Sequence, residues 1–435
     1  MSEWKKVKIC DFLTEREGRY KPDDSKISKY KRLDKIDFSG TIHLSDKPTK
    51  TDMIIVHPED LVISGINVAK GAVAVYQGDE PVCATIHYSS YTFDSSKVDL
   101  DYFKYFVKSP AFIAALQMQV KGGIKTEIKP KHLLPLEISI PDLQTQQEIV
   151  KKVSLQLQKT EQLSIEIESQ KNYIKQLRQN ILQEAIEGKL TADWRKQNPV
   201  QKGNPDYDAE ALFKQIQKER NSDKKQKELS PITNDEKPFE LPVGWKWVRL
   251  GEICKSITDG DHLPPPKQNN GIPFIVISDV SSGVIDFRGN RYVPESYYEK
   301  LQSDKKPQKG DILYTVTGSY GIPVFVNDLK FCVQRHIGII KPYAQIKNYI
   351  YHFLQSPICK KQADSVAWGV AVKTIPIKEL RNFAFPLPPL KEQEEIVNKV
   401  ESLLAKVKTL EDQIQDRKTL SDKLIFGIIK ENLEG

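Results

Sequence analysis

Long apolar runs are missing from this sequence: none approaches the roughly 18 residues needed to cross a bilayer. The opening Met1-Ser-Glu-Trp-Lys-Lys carries no apolar segment of secretory type, so neither a membrane span nor an export signal is expected. Cysteine is scarce and scattered. The five copies (Cys10, Cys83, Cys254, Cys332, Cys359) are odd in number, and no two have the close spacing of a zinc site. That excludes a disulfide framework and fits a reduced, cytoplasmic compartment. Catalytic signatures are missing as well. No G-x-G-x-x-G follows a predicted strand, and no G-x-x-x-x-G-K-[ST] phosphate loop occurs. The Asn/Asp-Pro-Pro-Tyr/Phe tetrapeptide of adenine-methylating enzymes is absent; Leu263-Pro-Pro-Pro266 and Leu387-Pro-Pro-Leu390 lack its acidic or amide residue. Glu127-Ile-Lys129 imitates the end of a nuclease motif, but Pro22-Asp23, the nearest upstream Pro-Asp, lies far away in the chain. A large excess of one charge is lacking too. The net +7, with pI near 8.8, permits a polyanionic partner without demanding one.

What is present is an internal repeat. Pro141-Asp-Leu-Gln-Thr-Gln-Gln-Glu-Ile-Val-Lys-Lys-Val153 returns as Pro388-Pro-Leu-Lys-Glu-Gln-Glu-Glu-Ile-Val-Asn-Lys-Val400, at an offset of 247 residues that continues without a gap. Val153, Thr160, Ile167, Ile174 and Ile181 step by seven, and Val400, Val407, Ile414, Ser421 and Ile428 answer them. Leu163 and Leu177 stand three places further on, as do Leu410 and Leu424. Apolar residues at the first and fourth places of a heptad make a stripe that one helix buries against another. The stripe is impure, with Gln156, Gln170 and Glu184 where apolar residues would be strongest. Such a helix is expected to be stable only when paired. At ~1.5 Å per residue the first run would reach roughly 64 Å. Two units, each ending in a long helix, are the frame for the rest.

A chain of 435 residues is too long for one ordinary core, and 39% hydrophobic with 28% charged residues is the composition of a folded protein. Both helices follow a mixed α/β stretch. In the first, Trp4-Lys-Lys-Val-Lys-Ile9 begins a strand, Asp60-Leu-Val-Ile-Ser-Gly65 and Gly71-Ala-Val-Ala-Val-Tyr76 read as two buried strands, and Tyr102 to Val120 has helical spacing in which Pro110 marks a break or a second helix start. In the second, Trp245-Lys-Trp-Val-Arg-Leu250, Asp311-Ile-Leu-Tyr-Thr-Val-Thr-Gly318, Gly321-Ile-Pro-Val-Phe-Val326 and Ser356-Pro357 answer these islands. Cys332 with His336 answers Cys83 with His87, but one Cys and one His per unit cannot complete a zinc site, so core or strand-end roles are expected. Elsewhere the halves differ, as at Asp259 to Asn270 against Glu15 to Lys26. The scaffold repeats while the decoration does not, and similar folds with different loops should read different targets.

The fold class expected is α+β: two mixed α/β domains separated by two long helices that form an antiparallel coiled coil. The divisions are 1–143, a first helix 144–188, a charged linker with a short helix 189–240, a second domain 241–388 and a second helix 389–435. Within the linker, Asp208 to Arg220 offers Leu212, Phe213 and Ile216 on one helical face; the rest reads as mobile. A parallel pairing would require about 50 linker residues to span the rod. A pseudo-symmetric spacer with two unlike heads suits duplex DNA, whose half-sites recur about every 34–36 Å along one face.

At this point the residues match a known family. Pro386-Leu-Pro-Pro-Leu-Lys-Glu-Gln393 with Ile396-Val397, its copy at Pro141 to Val150, Ile181 to Arg195, Leu241-Pro-Val-Gly-Trp245 and Val248-Arg-Leu-Gly-Glu-Ile253 all recur in one order and spacing. The chain resembles the specificity (S) subunit of Type I restriction–modification systems over essentially its whole length. The first copy departs from the usual pattern at Asp142 and Gln144-Thr145. The resemblance implies two target-recognition domains reading a bipartite double-stranded DNA site, and spacer helices that set the gap. It implies two modification (methyltransferase) subunits docked on those helices, restriction subunits completing the complex, and a bacterial or archaeal cytoplasm. S-adenosylmethionine, ATP and Mg²⁺ are then expected on the partners, with no cofactor, metal or catalytic residue on this chain.

Base reading needs forked or amide side chains, and phosphate contacts need cations and hydroxyls. In the first domain the favoured DNA-binding residues are Arg16, Arg19, Lys21, Lys70, Lys121 and Lys125. In the second they are His262, Lys267, Asn269, Asn270, Arg288, Arg291, Thr317, Ser319, Tyr320, Arg335, His336, Trp368 and Lys373. Two rivals stay open: a coiled-coil scaffold joining two proteins, and a nuclease or methyltransferase with fused recognition domains.

Overall fold

The computed structural model describes residues 4–37, 40–66, 72–119, 129–223, 229–261, 268–289 and 291–433. The chain divides into two units, 1–170 with 414–435, and 171–413.

In the first unit, Lys5–Lys8 pairs antiparallel with Glu137–Ile140, so the start of the domain is tied to the strand that leads into the first long helix. A four-stranded sheet runs in the order Leu13–Glu15, Tyr88–Phe93, Leu61–Ser64, Val73–Val75. A second runs Ile42–Ser45, Arg32–Ile36, Val82–Thr85, Met53–Val56, with one parallel contact at Arg32 and Cys83. All four residues of Leu61–Ser64 are buried, which is why this strand reads as an unbroken apolar run. Two short helices, Leu100–Phe106 and Pro110–Gln119, complete an aromatic core built on Phe12, Tyr91, Tyr102, Phe103, Phe106 and Phe112. Of the break or second helix start expected at Pro110, the structure has the second, since its missing N–H would be unpaired there anyway. Ser109 Oγ caps it by accepting from Phe112 N–H at 3.2 Å.

The second unit repeats this plan. Lys246–Arg249 pairs with Ala384–Leu387; one sheet runs Cys254–Asp259, Ile337–Pro342, Ile312–Thr315, Pro323–Phe325; the other runs Arg291–Val293, Ile272–Ile275, Cys332–Val333. Again one pair, Ile272–Ile275 with Cys332–Val333, is parallel. Helices Lys347–Gln355 and Pro357–Val366 follow, with Ser356 Oγ accepting from Cys359 N–H at 3.2 Å. Strands, helix pair and serine cap all correspond, so the repeat read from scattered islands extends to topology. The small sheets differ: Met53–Val56 has no strand counterpart among the described residues of the second unit.

His352, on the helix Lys347–Gln355, is buried with no partner for Nδ1. Burial alone pushes its pKa down to about 4. The unfolded chain takes up this proton near pH 6.5 and the folded chain only near 4, so stability falls as pH drops through that window, by on the order of 3 kcal/mol. Replacing His352 by Phe should flatten that part of the curve, measured by denaturant titration of tryptophan emission at pH 7 and pH 4.5. An unchanged slope would show that the imidazole is hydrated in the folded state.

The long helices are Leu143–Ile186 and Leu390–Leu433, each of 44 residues. Within the first unit Asn432 Nδ2 donates to Gln156 Oε1 at 3.3 Å and Arg417 to Gln170 at 3.4 Å. Within the second, Arg178 donates to Glu411 at 3.1 Å. Partner numbers fall on one helix as they rise on the other, which fixes the pairing as antiparallel. At Gln170 and Arg417, which are 247 residues apart, a residue faces its own copy in the repeat.

The seam is narrower than the heptad pattern predicts. Every first-place residue is buried, Thr160 and Ser421 included. The fourth-place leucines are not: Leu163, Leu177, Leu410 and Leu424 keep 37%, 42%, 42% and 50% of their surface. Gln156, Gln170 and Glu184 alternate with them on that line; Glu184 is exposed and the two glutamines are half-buried against polar groups of the other helix, so the line is not closed to water.

Residues 189–223, expected as mobile linker around one helix, are folded. Gly188 ends the first helix in the left-handed region at φ 71°, where an added Cβ would lie 2.8–2.9 Å from Pro242, Arg195 and Trp245 side chains. Helices Ala192–Gln197 and Ala209–Asp223 follow. The second buries Ala209, Leu212 and Ile216, while Phe213 stays partly exposed beneath Lys246. Arg249, itself buried, reaches further along the same stretch. It donates to the Ser230 and Pro231 carbonyls at 2.8 Å and to both Glu236 carboxylate oxygens at 2.7 and 2.8 Å. Those bonds hold the Glu236 carboxyl down at about 2. The charge pattern was that of a solvated linker because its anchors are single residues without periodicity.

Candidate nucleic-acid interface

In the second unit the strand Ile312–Thr315 delivers the chain to a loop that its last residue shapes. Buried Thr315 donates from Oγ1 to the Ser319 carbonyl at 2.8 Å and accepts there from Ile322 N–H at 3.0 Å. Gly318 adopts φ 68°, which a side chain would oppose. This fixes Thr317 to Tyr320 as a rigid turn. His336 Nδ1 lies 3.1 Å from Thr317 Oγ1, and Thr374 Oγ1 donates to the same hydroxyl at 3.2 Å. Val316 N–H donates to the His336 carbonyl at 3.1 Å and Gly318 N–H to the Lys373 carbonyl at 2.9 Å. Thr317, Ser319, Tyr320, His336 and Lys373 therefore meet on one turn, with Arg335 exposed beside His336 and Trp368 bridged to Thr374.

The Tyr320 hydroxyl donates to Asp364 at 2.6 Å, and Lys360 pairs with Asp364 while lying 4.3 Å from the Tyr320 ring centroid. The bond to Asp364, with burial second, raises the Tyr320 pKa, and Lys360 first and Tyr320 second lower that of Asp364. This triad was not anticipated. Its one sequence signal is the i,i+4 spacing of Lys360 and Asp364, common on any exposed helix.

A second group belongs to the small sheet of this unit. Asn269 and Asn270 lead into Ile272–Ile275, beside the Gln268–Tyr292 bridge, and Arg291 pairs in register with Phe274. Arg288 reaches into solvent with its guanidinium on Asp286, which holds that carboxyl at about 2. His262 and Lys267 lie outside the described residues.

In the first unit Arg16 Nε donates to Asp60 at 2.6 Å. Asp60 is buried and also accepts from Ser90 Oγ at 2.7 Å and His57 N–H at 2.9 Å. Asp311 occupies the matching place in the other unit: it accepts from Gln308 N–H at 2.8 Å and pairs with Lys341. The buried aspartate is thus part of the repeated scaffold, while its cation differs: Arg16 follows Leu13–Glu15 in the first unit, and Lys341 lies within Ile337–Pro342 in the second. Arg19 is exposed, and Lys21 pairs with Asp52 at 3.0 Å on the surface. Lys70, Lys121 and Lys125 lie outside the described residues.

Cys83 and Cys332 sit inside strands, their thiols directed at the Tyr30 and Pro273 carbonyls at 3.7 Å. Burial pushes both thiols up, that of Cys332 to about 12. Among the described residues no three His, Cys, Asp or Glu side chains are placed to hold a metal ion, and no helix is long and apolar enough to cross a membrane. What the loops offer is hydrogen-bond donors, hydroxyls and cations, the set that phosphates and base edges accept.

Comparison with known proteins agrees with this architecture. A family model described as "Type I restriction modification DNA specificity domain" matches residues 1–174 and 242–417. The Type I restriction enzyme EcoBI specificity subunit of Escherichia coli is 23% identical over 332 residues, covering 75% of this chain but 64% of that subunit, less than two thirds of its length. The EcoKI specificity subunit of Escherichia coli strain K12 is 24% identical over 393 residues, 87% of this chain and 75% of that one. A solved chain from a structure titled for complex assembly and conformational transition of the type I R-M system superposes with a TM-score of 0.58 at 16% identity, over 99% of this chain and 98% of that one. At that identity the likeness speaks for the fold alone.

Proposed function

Because this chain belongs to the Type I restriction modification DNA specificity family, we propose that it is the DNA-recognition subunit of a restriction–modification complex. One observation carries the reading: two units with corresponding strand orders, alike but for one edge strand, hold unlike loops at the ends of corresponding strands. Each unit then reads one half of a split duplex site, and the paired helices act as the spacer that sets the unread gap. Two modification subunits dock on the repeated helices, and restriction subunits complete the assembly. Methyl transfer to adenine with S-adenosylmethionine, and ATP- and Mg²⁺-dependent cleavage, belong to those partners. This chain contributes recognition without catalysis. Arg335, Lys373, Arg291 and Arg19 are proposed as phosphate contacts, and Asn269, Asn270, Thr317 and His336 are proposed as the side chains that read base edges.

Binding of the full chain with its modification subunits to duplex DNA should be preferential for one bipartite site and should fall steeply with salt. For about six neutralised phosphates, affinity drops roughly a thousandfold between 50 and 200 mM salt. A flat salt response, or binding without sequence preference, would favour the rival scaffold reading. Methylation or cleavage by the purified chain alone, given DNA, Mg²⁺ and S-adenosylmethionine, would overturn the non-catalytic part.

A further inference from the structure

The segment Trp368–Thr374 of the second unit is a fastened hairpin with an apolar end. Trp368 N–H donates to the Thr374 carbonyl at 3.1 Å and Thr374 N–H to the Trp368 carbonyl at 2.8 Å, closing the loop between them. Its base is tied to the rigid turn by Gly318 N–H to the Lys373 carbonyl (2.9 Å) and Ile375 N–H to the Val316 carbonyl (2.8 Å). Gly369 has φ 121°, and a Cβ there would lie 2.3 Å from the Val372 carbonyl oxygen, so the loop closes tightly only with glycine. What this base holds out is not polar. Trp368 keeps 69% of its surface, Val372 55%, and Val370 is fully exposed.

Exposing apolar side chains so fully on an anchored loop forgoes the burial that most valines obtain. Surrounding chemistry points to what covers them. The exposed cations in the hairpin and on the segments joined to it are Arg335, Lys360, Lys361, Lys373 and Lys378, while Asp364 is held by Lys360 and Tyr320. With Lys360 neutralised by Asp364, Arg335, Lys361, Lys373 and Lys378 remain as exposed cations on the hairpin and its neighbouring segments, and a narrow apolar projection carried among cations differs from the broad, charge-depleted core of a protein–protein interface. It fits a nucleic-acid groove, where an apolar wedge enters a base step while cations hold the phosphates on either side.

We propose that this hairpin is an intercalating wedge: Val370 enters and unstacks one base step of the half-site read by the second unit, with Trp368 against an uncovered base face. The inference rests on the DNA-recognition reading above and adds a deformation of the duplex to it. Lys373 and Arg335 then bracket the opened step on the phosphates.

The test uses the full chain with its modification subunits and duplexes carrying the bipartite site found by methylome sequencing. 2-Aminopurine is placed at each position of each half-site in turn. Fluorescence should rise several-fold at one step of one half-site. Val370→Ser should abolish the rise and weaken binding roughly tenfold, the worth of burying one valine, without changing the salt slope. Lys373→Gln should lower that slope by about one and leave the fluorescence rise in place. Because Val370 touches solvent alone, an unchanged melting temperature of V370S confirms the fold. Specific binding with no fluorescent step, and full affinity in V370S, would overturn the wedge and leave the recognition role intact. Unchanged DNA binding by V370S together with lost assembly with modification subunits would overturn it in favour of a protein contact. Absence of sequence-preferring binding in every arm would remove the recognition role and the wedge with it.

Discussion

Duplicating the heptads at residues 167–173 and 414–420 until three extra copies stand in each long helix should lengthen the unread gap of the methylated site by about nine base pairs and leave both half-site sequences unchanged. Both insertions lie beside Gln170 and Arg417, where a residue faces its repeat copy, so the added lengths pair with each other. Each duplicated unit brings a buried first-place isoleucine, Ile167 or Ile414, and whole heptads keep the seam in phase. Twenty-one residues at about 1.5 Å extend a helix by roughly 31 Å, close to one turn of duplex at about 34–36 Å. A recognition loop would then meet its half-site on nearly the same face of the DNA. A single heptad is the instructive contrast. It adds roughly 10 Å, about three base pairs, and a duplex turns by about a third of a revolution over that length. Methylation should drop at least tenfold with one heptad and recover with three, as read by methylome sequencing of cells carrying each variant. Altered half-sites in the three-heptad variant would refute the division of labour between loops and spacer. Equal activity with one heptad would show that the duplex or the helices twist freely enough to absorb the mismatch.

The parts of this fold that were legible in the chain are those governed by period. A seven-residue step marked the first-place seam from Val153 to Ile181 and from Val400 to Ile428, and every one of those residues is buried. Unbroken apolar runs marked Leu61–Ser64 and Ile312–Thr315, which are buried throughout. The exposed fourth-place leucines were misread because the heptad rule assumes that both apolar lines are covered, and the line that carries Gln156, Gln170 and Glu184 is not closed to water. The stretch from Lys189 to Glu240 was opaque for another reason. The order of its described residues comes from single anchors elsewhere in the chain, such as Glu392 for Arg195 and Arg249 for Ser230, Pro231 and Glu236, and no local pattern announces them. The candidate recognition loops are opaque in the same way. Thr317, His336 and Lys373 converge through backbone bonds between separate strands, and composition could nominate each without grouping them. The Asp364–Lys360–Tyr320 cluster and the apolar tip at Val370 follow from fold alone.

Glu392→Ala should destabilise the second unit by about 3–5 kcal/mol, the cost of leaving buried charge-assisted hydrogen bonds without their acceptor. Glu392 is buried at the start of the second long helix, and three groups converge on it. Trp245 Nε1 donates to Oε2 at 2.7 Å, Thr191 Oγ1 donates to Oε1 at 2.7 Å, and the Arg195 guanidinium pairs with Oε1. Arg195 also lies 6.0 Å from the Trp245 ring centroid, and Trp245 packs edge-on to Tyr349. One carboxylate thus joins the segment after the first helix, the opening of the second domain and the beginning of the second helix. Glu392→Gln keeps the volume but swaps one acceptor for a donor facing Arg195 or Trp245, so it should lose more than half of that stability. Pairing E392A with Arg195→Met separates the charge from the packing. If the ion pair dominates, the double variant should be no less stable than E392A, since the orphaned guanidinium has gone. The corresponding place in the first repeat is Thr145, which lacks a carboxylate, so a substitution there should cost less than about 1 kcal/mol. Denaturant unfolding followed by tryptophan emission measures both, with Trp245 reporting on the second unit and Trp4 on the first. The functional consequence should be one-sided: E392A should blur recognition in one half of the bipartite site, in a methylome taken at the highest growth temperature, while the other half keeps its sequence. Equal blurring of both halves would show that the clasp serves the whole chain and not the second head.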